Sequence, residues 1–200
     1  MAKYNDVTMG QMEACINRMG GLPNFLDFIG GQGRIVFESV LSFSHTIVLP
    51  AQPAFSAHEQ LFINECHPQG VSVAQTWNNF IHPFLNKVER PTEKTGLVFH
   101  KIGAVCTEER IISQLVANKM GKIDITLSQL FALLLKQGNG EEGDLLLPNK
   151  DNRCYILDVG GNLQAVNARW SRTCKGWLLS AHEADSPHKW ENNGQVITRN

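Results

Sequence analysis

Arg153-Cys154-Tyr155-Ile156-Leu157-Asp158-Val159, then Gly160-Gly161-Asn162, then Leu163-Gln164-Ala165-Val166-Asn167-Ala168-Arg169-Trp170 reads as two strands joined by a tight turn. Both runs are rich in residues that fit a pleated surface, and Gly-Gly supplies the positive φ that a primed hairpin turn requires. A polar turn, Ser171-Arg172-Thr173-Cys174-Lys175, leads into a third run, Gly176-Trp177-Leu178-Leu179-Ser180-Ala181-His182. A fourth, Gln195-Val196-Ile197-Thr198, follows near the end. The economical arrangement is a four-stranded antiparallel meander.

Upstream, helix signals alternate with strand signals. Thr8 and Gln11 have capping-box spacing, and Met9, Met12, Ile16 and Met19 recur at helical intervals before Gly20-Gly21, as core filler facing a sheet would. A second helix or turn is expected over 22–29. Gly30-Gly31-Gln32-Gly33 lacks the helix start and the Lys-Ser/Thr of a phosphate-binding loop. Ile35, Phe37, Leu41 and Phe43 alternate as in a strand, Thr46 to Leu49 reads as a second, and Leu61-Phe62-Ile63 as a third.

Ser72 with Gln75 opens a helix carrying Val73, Trp77, Phe80, Ile81 and Phe84, which Pro83 ends. Lys87 to Thr95 reads as an exposed loop and Leu97 to Ile102 as a strand. Thr107 caps a helix whose first turn carries Glu108 and Glu109, placed to complement the helix dipole. Thr126 with Gln129 caps another, Leu127 to Gln137, apolar on nearly every side and so central to the core. The fold class expected is α+β: three or four helices packed on a mostly antiparallel sheet, with a β-rich C-terminal meander. The Gly-rich stretch 137–144 sets the expected division, 1–143 and 144–200, within what remains compatible with one continuous domain.

The chain has 200 residues, 42% hydrophobic and 18% charged, with a net charge of −1. Such a composition suits a globular protein, and its charge does not suit bulk electrostatic binding of nucleic acid. The first residues lack the apolar core of a secretory signal, and no stretch approaches a membrane span, so a soluble cytoplasmic protein without membrane association is expected. The five cysteines, Cys15, Cys66, Cys106, Cys154 and Cys174, contain no CxxC and read as reduced thiols.

Four constellations bear on function. Cys154, Cys174, His182 and His188 would offer zinc a Cys₂His₂ set, but without the short Cys-Cys knuckle. Cys66 beside His67, with His58, Glu59, His82, His100 and Cys106 elsewhere, contains a thiol and bases, yet neighbours in an extended chain point apart. Residues 107–137 have the outline of a helix–turn–helix but an apolar second helix. Arg169, Trp170, Arg172, Lys175, Trp177 and Trp190 place cations among flat rings, the ingredients of a contact surface or of base stacking. From Lys150 onward there are seven Lys/Arg against five Asp/Glu, so the segment is only slightly basic.

Glu13-Ala14-Cys15-Ile16-Asn17-Arg18-Met19-Gly20-Gly21 resembles the N-terminal EAxxNKLGG-like segment of a family from candidate-phyla bacteria with reduced genomes. Gly176-Trp177-Leu178, Pro187-His188-Lys189-Trp190, Val196 and Arg199 resemble its C-terminal WL…PxHRW-like pattern. The resemblance implies no activity and transfers no catalytic residue. The function expected is a non-catalytic binding or interaction module, using Arg169, Trp170, Arg172, Lys175, Trp177 and Trp190 towards a protein or ligand partner and needing no cofactor. The alternatives are nucleic-acid binding by the same patch and a Cys/His-dependent or zinc-dependent enzyme.

Overall fold

In the computed structural model, residues 8–18, 21–30, 39–61, 71–184, 189–190 and 193–200 are described. The chain forms two compact units, Met1–Glu38 and Ser39–Asn200.

The first unit holds helices α1 (Met9–Arg18) and α2 (Leu22–Ile29). Thr8 and Gln11 cap α1 reciprocally: the Thr8 N–H donates to Gln11 Oε1 (2.9 Å) and the Gln11 N–H to Thr8 Oγ1 (3.2 Å). Gly21, at φ +106°, returns its N–H to the Ile16 carbonyl, a conformation a Cβ would oppose. The methionine stripe is not core filler. Met9 is 81% exposed and Met12 40%, and no residue of α1 is buried; Met19 lies outside the described residues.

The second unit contains, in order, β1 (Leu41–Leu49), β2 (Phe55–Ser56), α3 (Ala57–Leu61), β3 (Val73–Thr76), α4 (Asn78–Phe84), β4 (Val88–Glu89), β5 (Thr95–Ile102), β6 (Cys106–Thr107), α5 (Glu108–Ala117) and α6 (Leu127–Lys136). Then follow β7 (Asn152–Leu157), β8 (Leu163–Ser171), β9 (Gly176–Glu183), β10 (Lys189–Trp190) and β11 (Gln195–Arg199). Seven strands form one sheet in the order β1-β5-β11-β7-β8-β9-β3. All its ladders are antiparallel except β11–β7 and β3–β9. The fold is therefore α+β with a mostly antiparallel, mixed sheet, and it has more helical segments than the three or four expected.

β7, β8 and β9 form the expected meander, but β11 does not extend it. It inserts between β5 and β7, antiparallel to one and parallel to the other, so strands from either side of residue 143 share one sheet. The expected helix over 72–84 divides: 73–76 is a strand on β9, and only 78–84 is helical. The edge of β9 offers backbone groups that must be paired, and this long-range demand outweighs a local capping pattern. Leu61 ends a helix and is not in a strand; Ile35, Phe37, Phe62 and Ile63 lie outside the described residues. The 87–95 loop contains β4, whose Glu89 carboxylate accepts from the Leu127 and Ser128 N–H groups (2.9 Å each) at the start of α6.

The sheet separates two apolar layers. Successive strand residues face opposite ways, and Cys154, Ile156, Val166, Ala168, Trp170, Trp177 and Leu179 pack with Leu127, Leu130, Phe131 and Leu134 of α6. The opposite face buries Tyr155, Ala165, Val196 and Ile102 under Ile111 and Leu115 of α5. α5 and α6 thus lie on opposite faces of one sheet. The helix–turn–helix outline is corrected accordingly, because α6 is spent on the core.

Burial raises the pKa of the Cys154 thiol well above its ordinary value and raises that of Cys106, whereas Cys15 and Cys174 are exposed. Iodoacetamide is expected to alkylate Cys15 and Cys174 in the native protein and to reach Cys106 and Cys154 only after unfolding. Peptide mass mapping checks this, and native labelling of Cys154 at the rate of Cys174 would contradict the packing described.

Candidate functional site

Trp170 and Trp177 are cross-strand partners on β8 and β9, with ring centroids 5.5 Å apart at 73°. They are 7% and 0% exposed, and the Trp177 indole N–H donates to the Gln137 carbonyl (3.1 Å). Both rings belong to the core under the loop after α6. Gly140, at φ +75°, lies so close over Trp170 that a Cβ there would stand 2.3 Å from the indole. The expectation that these two rings face solvent is corrected: the glycine-rich stretch that suggested a linker is the cover that seals them. Arg169, Arg172 and Lys175 are exposed. Trp190 pairs through its backbone with Cys106, and its side chain is outside the described residues.

The zinc set does not assemble. Cys154 pairs with Val166 on one sheet face, whereas His182 pairs with Ala165 on the other, and Cys174 sits in the β8–β9 turn. His188, Cys66 and His67 lie outside the described residues. Among the described residues no three His, Cys, Asp or Glu side chains are grouped to hold a metal ion. Nor is any helix of these residues long and apolar enough to cross a membrane.

A buried cluster that local signals do not reveal lies beneath α5. Glu108, Arg153 and Tyr155 are each 0% exposed. Arg153 Nη1 donates to Glu108 Oε1 (2.7 Å), and the Tyr155 hydroxyl donates to the other carboxylate oxygen, Oε2. Burial is the main force lowering the Arg153 pKa and raising that of Tyr155, with the Glu108 charge raising both. The arrangement fastens α5 to the sheet and is closed to solvent.

The open chemistry is at the other end of that same sheet face, where β8, β9 and the start of α4 line a cleft of about 270 Å³. Its described lining is Trp77, Asn79, Arg169, Ser180 and His182. On β9 the apolar phase, Trp177, Leu179 and Ala181, faces α6, which turns Ser180 and His182 to the outer side. On β8 the same alternation puts Trp170 inside and Arg169 out.

Trp77 joins β3 to α4 with an extended backbone (φ −81°, ψ 157°). Its N–H donates to the Leu179 carbonyl (3.1 Å), and its own carbonyl accepts from Phe80 and Ile81 (2.8 and 3.0 Å). Trp77 and Ser180 are half-buried, so the wall is held while part of it faces water. The described lining has a guanidinium, an imidazole, an amide, a hydroxyl and an indole, and no carboxylate. On the same face, Asn167 engages Asp151 by donating from Nδ2 to Oδ1 (2.8 Å). Of these five lining residues, only Arg169 belongs to the contact set expected from sequence; Trp77 was expected on a helix stripe and His182 in a zinc set. The signal for Ser180 and His182 was the polar phase of β9.

Comparisons with protein-family models, with curated proteins and with solved structures find no significant match.

Proposed function

We propose that the protein is a cytoplasmic binding module whose ligand seats in the cleft between Trp77 and Arg169. The observation that supports this most is the composition of the cleft lining: fixed hydrogen-bond donors and a flat ring on a rigid sheet, with a cation and no acidic group among them. A planar guanidinium recognises anions by paired hydrogen bonds, and an indole adds stacking area at low conformational cost. The exposed Arg172 and Lys175 extend the positive charge to the neighbouring turn. Trp170 and Trp177 support the site from beneath by holding β8 and β9 together. The exposed, reduced thiols of Cys15 and Cys174 favour a reducing compartment.

A ligand that binds only the folded state raises the melting temperature by mass action. A panel of small anions carrying a ring (benzoate, nicotinate, nucleoside monophosphates), with inorganic phosphate for comparison, is expected to include members that stabilise the protein. Arg169→Gln is expected to weaken that binding by about tenfold or more, the effect of a lost charge-assisted hydrogen bond. The variant should leave the ligand-free melting temperature unchanged, since Arg169 is exposed. A panel without any stabilising member, or one whose effect Arg169→Gln leaves intact, would refute this site.

A further inference from the structure

Resting on that reading, we infer that the cleft takes a nucleotide unit, its base against Trp77 and its phosphate on Arg169 and His182. The argument begins with spacing. Trp77 is bound to β9 through Leu179 from one side, and Arg169 is paired with Leu178 from the other. Neighbouring strands are roughly 4.8 Å apart, so the two backbones stand about 10 Å apart across β9. Ser180 and His182 lie on β9 between them and form the floor.

A ligand that uses both walls therefore needs a flat ring at one end and an anion at the other, separated by a short polar linker. A simple carboxylate or inorganic phosphate would engage one wall only. A neutral sugar would lack the anion that Arg169 calls for, and its hydroxyls would find no carboxylate acceptor in the described lining. A nucleotide meets each demand: the base stacks, the phosphate accepts from the guanidinium fork and the imidazole, and the ribose lies over the Ser180 hydroxyl. The Asn79 side chain offers a donor and an acceptor side by side, as reading a base edge requires.

The same unit is supplied by a free mononucleotide or by one residue of a single strand. Arg172 and Lys175 continue the cationic track from Arg169 into the β8–β9 turn, and at roughly 3.3 Å per residue Arg172 is at most about 10 Å further on. That is within reach of a neighbouring phosphate of an extended strand.

Calorimetric titration of the intact protein separates these cases. The probes are AMP and UMP, adenosine, ribose 5-phosphate, inorganic phosphate, benzoate and a hexameric single-stranded RNA. At least one mononucleotide is expected to bind, with the nucleoside and ribose 5-phosphate each about tenfold weaker or worse. Trp77→Leu and Arg169→Gln should each cost a similar factor, and because Arg169 is exposed its variant reports even where Trp77→Leu fails to fold.

Hexamer binding that is about tenfold tighter, weakens with added salt, and is reduced by Arg172→Gln with Lys175→Gln while UMP binding is not, identifies the source as a strand. Equal affinity for hexamer and mononucleotide identifies it as the free nucleotide. Benzoate or ribose 5-phosphate binding as tightly as AMP, in an Arg169-dependent manner, would overturn the nucleotide assignment and leave the binding module standing. Silence from every probe would overturn both.

Discussion

Glu108→Ala is expected to destabilise the protein by about 3–5 kcal/mol, the cost of leaving one member of a buried ion pair uncompensated. The carboxylate is the printed hydrogen-bonding partner of both the Arg153 guanidinium and the Tyr155 hydroxyl, and all three groups are shut off from water. Removing it deprives a buried cation of its counter-charge and a buried hydroxyl of its acceptor, and it opens a void where α5 meets the sheet. Glu108→Gln keeps the shape and one acceptor and should cost less. Replacing the pair together, Glu108→Leu with Arg153→Met, should recover most of the loss, because well-packed apolar groups of similar volume often match a buried ion pair. Urea unfolding decides the matter: a fall in midpoint at unchanged slope is expected for Glu108→Ala. A loss under about 1 kcal/mol would mean that the guanidinium reaches water, contrary to its burial.

Trp177→Ala should cost a comparable amount, about 3–5 kcal/mol, as truncation of a fully buried aromatic residue does. The ring fills the space between β9 and the loop after α6, abuts Trp170, and holds that loop through the hydrogen bond to the Gln137 carbonyl. Gln137 in turn fixes the loop. Its side chain donates to the Glu141 and Leu145 carbonyls and accepts from the Leu145 N–H (2.8, 3.1 and 2.7 Å). Trp177→Phe retains most of the apolar contact and loses only the indole donor, so about 1–2 kcal/mol is expected. Equal losses for Ala and Phe would show that the hydrogen bond, and not the packing, dominates.

The parts of this fold that could be read from sequence are those set by neighbours in the chain. Thr107 and the Thr126–Gln129 pair cap α5 and α6 as their spacing implies, and β7, β8 and β9 run where β-formers and turn residues place them. The misread parts were set at a distance. Ser72 and Gln75 carry a capping pattern that the unpaired edge of β9 overrides, and β11 is placed by β5, whose register is fixed by residues about a hundred positions earlier.

Glu108 fits a helix-dipole role locally, and its partners are 45 and 47 residues away. One clue was present: an arginine within a run buried on both faces requires a counter-charge. The tryptophans were legible as important and not as buried, because the glycines that let the chain close over them lie some thirty residues upstream. Of the cleft, Arg169 was legible, and the polar alternation of Ser180 and His182 was visible. Trp77 was not, since its place depends on a hydrogen bond to Leu179 that no local pattern announces.

The outer cleft is tested most directly by following the indole N–H resonances of ¹⁵N-labelled protein during titration with AMP or UMP. The Trp77 resonance should move and saturate, while that of Trp177, held on the Gln137 carbonyl beneath the sheet, stays in place. A Trp77 resonance that does not respond, or one that moves no more than that of Trp177, would contradict a ligand site between Trp77 and Arg169.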